Sequence, residues 1–253
     1  MNFTKHCIFL KISIHYLKST RRTFCKYRYR QPSIDTQEDF MDANTKALYR
    51  LKVERTIKAL EKNNMNGYYV ETVEALQEKV KSFLSPGAVV SVGGSMTLFE
   101  AGIIDLLRAG DYQFLDRYAP GLTPADTKAL FRQTFSANAY ICSTNAVTEN
   151  GELYNVDGSG NRASAMIFGP DKVIVIVGTN KIVRNLEDAD ARVHLIAAPA
   201  NNVRLNTGNP CTVVGTCTDC KSPGKICCSR TSIGFQRDKD RIHVIFVDGE
   251  FGY

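Results

Sequence analysis

Lys172-Val-Ile-Val-Ile-Val-Gly178 sets five consecutive β-branched aliphatic residues between a lysine and a glycine. A strand sends alternate side chains to opposite faces, so an unbroken apolar run must be covered on both. Such a strand belongs inside a parallel sheet with helices on either side. Two companions share the pattern, Ala88-Val-Val-Ser-Val92 upstream and Arg241-Ile-His-Val-Ile-Phe-Val247 downstream. Shorter runs at 68–70, 112–115 and 139–143 also read as strands, and Asn150-Gly151 turns a hairpin between 146–148 and 153–156.

Helical patterns fill the intervals. Leu48, Leu51, Ile57 and Leu60 recur at helical spacing with Gly67 as the stop, which predicts a helix over 43–66. Thr72 caps a helix running to Leu84, and Thr123-Pro124 opens another over 124–136. Further helices are predicted over 97–108, 161–168 and 186–197. Strands alternating with helices give an α/β fold with a mostly parallel central sheet.

Composition sets the limits. With 253 residues, 43% hydrophobic and 23% charged, the chain can bury a core and is neither disordered, collagen-like nor a coiled coil. No apolar stretch reaches the roughly 20 residues that a spanning helix needs. The net charge of +6 is concentrated at one end: residues 1–40 hold eight Lys/Arg and three acids. The remaining residues are nearly neutral, which argues against a nucleic-acid partner. Residues 1–40 read as a basic extension ahead of a domain over 41–253. An appended or misassigned start before Met41 explains it best, with a mitochondrial-type targeting segment or an interaction tail as alternatives. The absence of a secretory signal points to the cytoplasm.

Three polar turns follow strands. Gly93-Gly94-Ser95-Met-Thr97 leads from a buried strand into a helix, a cradle for a phosphate or carboxylate. It is neither a Walker loop nor a nicotinamide or flavin fingerprint. Thr144-Asn145 precedes the hairpin, and Asp157-Gly158-Ser159-Gly160-Asn161-Arg162 follows it, with Arg162 expected to face an anion. Asn180 and Lys181 follow the best buried strand. In open α/β sheets ligands collect at the carboxyl ends of strands, so the three turns are expected to share one site. An ordinary glycine turn, an Asx turn and a solvated lysine are the structural alternatives.

Five of eight cysteines fall in a loop over 209–230: Cys211, Cys217, Cys220, Cys227 and Cys228. The spacing lets Cys211, Cys217, Cys220 and Cys227 hold zinc or an iron–sulfur cluster, with a redox pair or free thiols as alternatives. Cys142 reads as a core residue. His194 and His243 stand apart, so no histidine triad can be built.

On these same residues, from about Thr45 to Tyr253, the chain resembles the LUD-domain (lactate-utilisation) family. The resemblance rests on Val92-Gly-Gly-Ser-Met-Thr-Leu-Phe-Glu100, Thr144-Asn-Ala-Val-Thr-Glu-Asn-Gly151, Val156-Asp-Gly-Ser-Gly-Asn-Arg-Ala163, Val177-Gly-Thr-Asn-Lys-Ile-Val183 and the cysteine segment. It implies a fold similar to ribose-5-phosphate isomerase, glucosamine-phosphate deaminase and the CoA transferases. In those enzymes a Gly/Ser/Thr loop holds phosphate and an Asp-Gly turn supplies catalytic groups. The isomerase's second acidic position is occupied here by Ser159-Gly160-Asn161, which puts isomerase activity in doubt. The resemblance implies a role in lactate or related organic-acid utilisation, with iron–sulfur or flavin oxidoreductases as partners. A transferase or isomerase using Asp157 or Glu100 as base on a phosphorylated or CoA-linked substrate is the alternative. A redox or metal-sensing module is the third.

Overall fold

The computed structural model describes residues 42–253. The expectation for residues 1–40 lies outside them. In chain order the first elements are α1 (Ala43–Lys62), β1 (Asn66–Val70), α2 (Val73–Lys81), β2 (Val89–Val92), α3 (Met96–Glu100), α4 (Ile103–Ala109) and β3 (Gln113–Leu115). Then come α5 (Pro124–Gln133), β4 (Ala139–Cys142), β5 (Ala146–Thr148), β6 (Leu153–Asp157), α6 (Asn161–Ile167) and β7 (Lys172–Gly178). The chain continues through β8 (Ile182–Val183), α7 (Leu186–Arg192), α8 (Ala198–Arg204), α9 (Cys211–Val214), β9 (Ser229–Ile233) and β10 (Ile242–Val247).

Six strands form one sheet in the order β1-β10-β7-β4-β2-β3, every pair parallel. The apolar run of β7 is the reason it holds. Val173, Val175 and Val177 of β7 pack on one face with Leu60, Met65 and Phe246. Ile174 and Ile176 pack on the other with Leu76, Leu98 and Leu107. The fold is therefore α/β with a mostly parallel central sheet between helices. A second, smaller sheet, β8-β5-β6-β9, stands beside it and contains the expected hairpin as the antiparallel pair β5–β6.

Several local expectations shift. Helix α1 ends at Lys62, where Asn64 takes the left-handed conformation (φ 61°), and Gly67 lies inside β1. Glycine is required there by packing, since a Cβ would sit 2.9 Å from a side-chain carbon of Ile57 on α1. The helix expected over 97–108 breaks in two at Gly102 (φ 65°). The helix expected over 186–197 runs on to Arg204 through a π-helical turn at Val193–Ala197. Strand β9 is an addition that charge conceals, because four of its five residues are polar.

Strand order fixes where a ligand can go. From β2 the chain moves to β3 on one side, then returns to β4 on the other and continues outward to β7 and β10. The direction reverses between β2 and β4, and such a switch point leaves a crevice at the carboxyl ends of the strands.

Candidate functional site

The crevice is a cavity of about 320 Å³. Three neighbouring strands end on it: β2 runs into Gly94, Ser95 and Thr97, β4 into Ser143, and β7 into Lys181. The turn after β6 adds Asp157, Gly158 and Asn161. Asn145 completes the set, so the three polar turns do share one cavity.

Lys181 is the most constrained of these groups, only 2% exposed. Its ammonium donates to Thr97 Oγ1 at 2.8 Å and to Ser143 Oγ at 3.1 Å. Both acceptors are neutral hydroxyls. Burial first, then the nearby charges of Arg192 and Arg162, bring its pKa down to about 7, with Glu100 opposing in part. Thr97 passes its own hydrogen to the carbonyl of Phe251 at 3.1 Å, which ties the last residues to the cavity wall.

Arg162 lines the cavity as expected, but its donors are already engaged. Its Nε donates to Asp157 Oδ1 (3.0 Å), and Nη1 donates to the Ser143 carbonyl (2.9 Å) and to Asn155 Oδ1. Nη2 donates to Asn145 Oδ1 (2.7 Å) and the Val156 carbonyl (3.1 Å). Five N–H groups are all a guanidinium has. Asp157 is correspondingly occupied, accepting from Arg162 and, through Oδ2, from the Ala163 amide at 2.7 Å where α6 begins. The pair is a buried staple between β6, α6 and the loop after β4.

Three other expected residues lie off the cavity lining. Glu100 accepts from the Gly252 amide at 2.6 Å. Asn180 donates to the Gly252 carbonyl at 3.2 Å, so both fasten the tail. Gly93 sits behind the wall, where a Cβ would lie 2.7 Å from the Tyr140 hydroxyl. Its role is close packing, while Gly94 meets the cavity.

The sequence reading overlooked Ser143, Arg117 and Arg204, which all line the cavity. Arg117 leaves the end of β3 and stacks over the rings of Tyr118 and Phe131, at 5.4 and 4.5 Å from their centroids. Its guanidinium also approaches Gly94, 3.3 Å from where a Cβ would be. Those contacts use no N–H donor, so its fork is available to a ligand. The available signal was position: Ser143 and Arg117 follow strands just as Gly94 and Lys181 do. The charged lining is thus Arg117, Arg162, Lys181 and Arg204 against the single carboxylate of Asp157.

The cysteine loop adjoins this cavity. Ile226 contributes to its lining, and the Cys228 amide donates to the Asp157 carbonyl at 2.9 Å. Cys211, Cys217, Cys220, Cys227 and Cys228 are all free thiols. Burial raises the pKa of Cys227, and the charges of Cys217, Cys220 and Cys228 add to the rise. Cys220 is lowered, first by hydrogen bonding from Ser222. Thiolates are the right chemistry for zinc or an iron–sulfur cluster. Among the described residues, however, no three His, Cys, Asp or Glu side chains gather around one point as a metal requires.

Fold and cavity together define an α/β protein with a cation-rich pocket at the switch point of a parallel sheet. The sequence profile of the LUD domain matches residues 53–247, and the chain belongs to the LUD-domain family. A crystal structure at 1.70 Å of a DUF162-family protein from Deinococcus radiodurans is similar over 81% of this chain and 98% of its own. The identity is 16% and the TM-score 0.44. No curated protein matches the chain. Among the described residues no helix is long and apolar enough to cross a membrane.

Proposed function

We propose that the protein binds a small organic anion, a carboxylate or a phosphate, in the pocket between β2, β4 and β7. On this reading it works in the cytoplasm in the use of lactate or a related acid, beside iron–sulfur or flavin oxidoreductases. The observation that supports it is the lining, which beyond the Arg162–Asp157 pair presents Arg117, Arg204 and the amine of Lys181 with no further side-chain carboxylate. Membership of the LUD-domain family supports the metabolic setting. The binding residues are Gly94, Ser95, Thr97, Asn145, Gly158, Asn161 and Lys181, with Arg117 as the free guanidinium. Calorimetric titration of the full chain with lactate, pyruvate and inorganic phosphate tests it. Saturable binding of at least one, weakened by salt and by Arg117→Ala, is expected. No saturable binding of any of them overturns the reading.

A second reading concerns the cysteine loop, and its support is the gathering of five free cysteines between Cys211 and Cys228. We infer that Cys211, Cys217, Cys220 and Cys227 take up zinc or an iron–sulfur cluster by closing the loop. Ligand binding and local folding would then be one equilibrium. Metal and acid-labile sulfide in anaerobically purified protein, lost in Cys217→Ser, is the expected result. Metal-free protein under those conditions overturns it.

A further inference from the structure

We propose that Lys181 is the reactive amine of the pocket and forms an imine with the carbonyl carbon of a small 2-oxo acid. The inference rests on the anion-pocket reading and names its substrate class.

Geometry carries the argument. Lys181 lines the cavity, is 2% exposed, and meets two hydroxyls and no carboxylate within hydrogen-bonding distance. A lysine kept only to balance charge would have an acidic partner. The acid whose charge acts on it, Glu100, is engaged with the Gly252 amide. Arg162, although cationic and close, has no N–H left over. Arg192 is likewise fixed, donating to the carbonyls of Asn145 and Asn180. The surroundings therefore favour the neutral amine, consistent with a pKa of about 7, and a neutral amine has a lone pair to offer.

The two hydroxyls fit the step. Nζ attacks the carbonyl carbon, the C=O π pair moves to oxygen, and the oxygen gains a proton to give a carbinolamine. The C–O bond then breaks and water leaves, carrying the oxygen and both original amine protons, to leave C=N. Thr97 Oγ1 and Ser143 Oγ, at 2.8 and 3.1 Å from Nζ, are placed to relay those protons. Gly252 helps shape the site, since a Cβ there would lie 2.6 Å from Thr97 Oγ1 and 3.4 Å from Lys181 Nζ. The carboxylate of the acid answers the guanidinium groups of Arg117 and Arg204 in the lining, and a cavity of about 320 Å³ has room for a short acid.

The test uses the full chain, pyruvate as the carbonyl probe and lactate as the matched acid without a carbonyl. Calorimetry measures binding of each. Borohydride is then added and the modified peptide is mapped by mass spectrometry. Both acids are expected to bind, with a reduced adduct from pyruvate alone, located on Lys181 and absent in Lys181→Arg. Adduct yield should rise as pH passes upward through about 7. Mapping of the unmodified sequence suffices even if Lys181→Arg misfolds. Saturating pyruvate that leaves Lys181 unlabelled overturns the imine while the anion pocket stands. Failure of both acids to bind removes the imine, and failure of inorganic phosphate as well removes the pocket reading with it.

Discussion

Thr97 and Lys181 stand 84 residues apart in sequence and 2.8 Å apart in space, hydroxyl to ammonium. The contact joins the helix after β2 to the turn after β7, two strands separated in the sheet by β4. It buries a positive charge against neutral partners, and that has a price in stability.

The first prediction follows from that charge. In the unfolded chain Lys181 holds its proton up to the ordinary 10.5, whereas in the fold it releases it at about 7. Between those values the unfolded state binds more protons, so stability rises with pH across the window. Below pH 7 the full cost of the charged amine is felt. Lys181→Met should therefore stabilise the protein at pH 6 by roughly 1–3 kcal/mol, after losing two hydrogen bonds. The advantage should shrink steadily toward pH 10. Denaturant melts at several pH values measure this, and a pH-independent difference would contradict it.

Arg162 should behave as a structural residue. Removing it leaves the Asp157 carboxylate and the Asn155 amide oxygen buried without their partner, both being at most 9% exposed. Breaking a buried ion pair from one side costs about 3–5 kcal/mol. Arg162→Ala should lower the unfolding free energy by that amount, and Arg162→Lys should recover little because one ammonium cannot reach five acceptors. Loss of ligand binding without loss of stability would refute the staple.

Arg117 should show the opposite separation. Its described contacts are ring faces and the glycine turn, with no ion pair to break. Arg117→Ala is expected to weaken an anionic ligand by about 1.5–3 kcal/mol. The melting temperature should move little. Calorimetry and a thermal melt on the same variant decide it.

The contrast between the two arginines marks how far sequence carries. Alternation and apolar runs revealed β2, β7 and β10, because burial on both faces leaves a pattern in the residues themselves. The turns after β2, β6 and β7 were legible for a related reason, since glycine and polar residues must follow a strand that ends at a crevice. Whether a given side chain points into the crevice depends on partners distant in sequence. Arg162 is consumed by groups from β6 and the loop between β4 and β5, and Glu100 by the Gly252 amide 152 residues away. Ser143 and Arg117 carried no local mark beyond their position. Strand β9 was invisible because its partners come from β6 alone and most of its residues face solvent.

Cysteine reactivity offers the last prediction, and it reads the loop and the core in one experiment. The thiolate is the reacting form, so rate follows both pKa and access. Cys142 in β4 is fully buried, and burial pushes its pKa up to about 12. Cys220 is partly exposed and lowered by hydrogen bonds from Ser222. Cys211 lies between, buried at the start of α9 and raised chiefly by burial. Alkylation of chelator-treated protein at mildly alkaline pH should label Cys220 before Cys211, and leave Cys142 untouched until the protein unfolds. Two residues before Cys211, Asn209 anchors the loop by donating to Asn202 Oδ1 at 2.7 Å and to the Gly224 carbonyl at 2.8 Å. Asn209 is itself buried, so Asn209→Ala removes two hydrogen bonds that hold the loop, each at a cost of about 0.5–1.5 kcal/mol. That cost falls on the loop, so the variant should speed labelling of Cys211 and leave Cys142 as slow as before. Peptide mapping over time distinguishes the two, and equal acceleration at both sites would mean that the loop and the sheet open together.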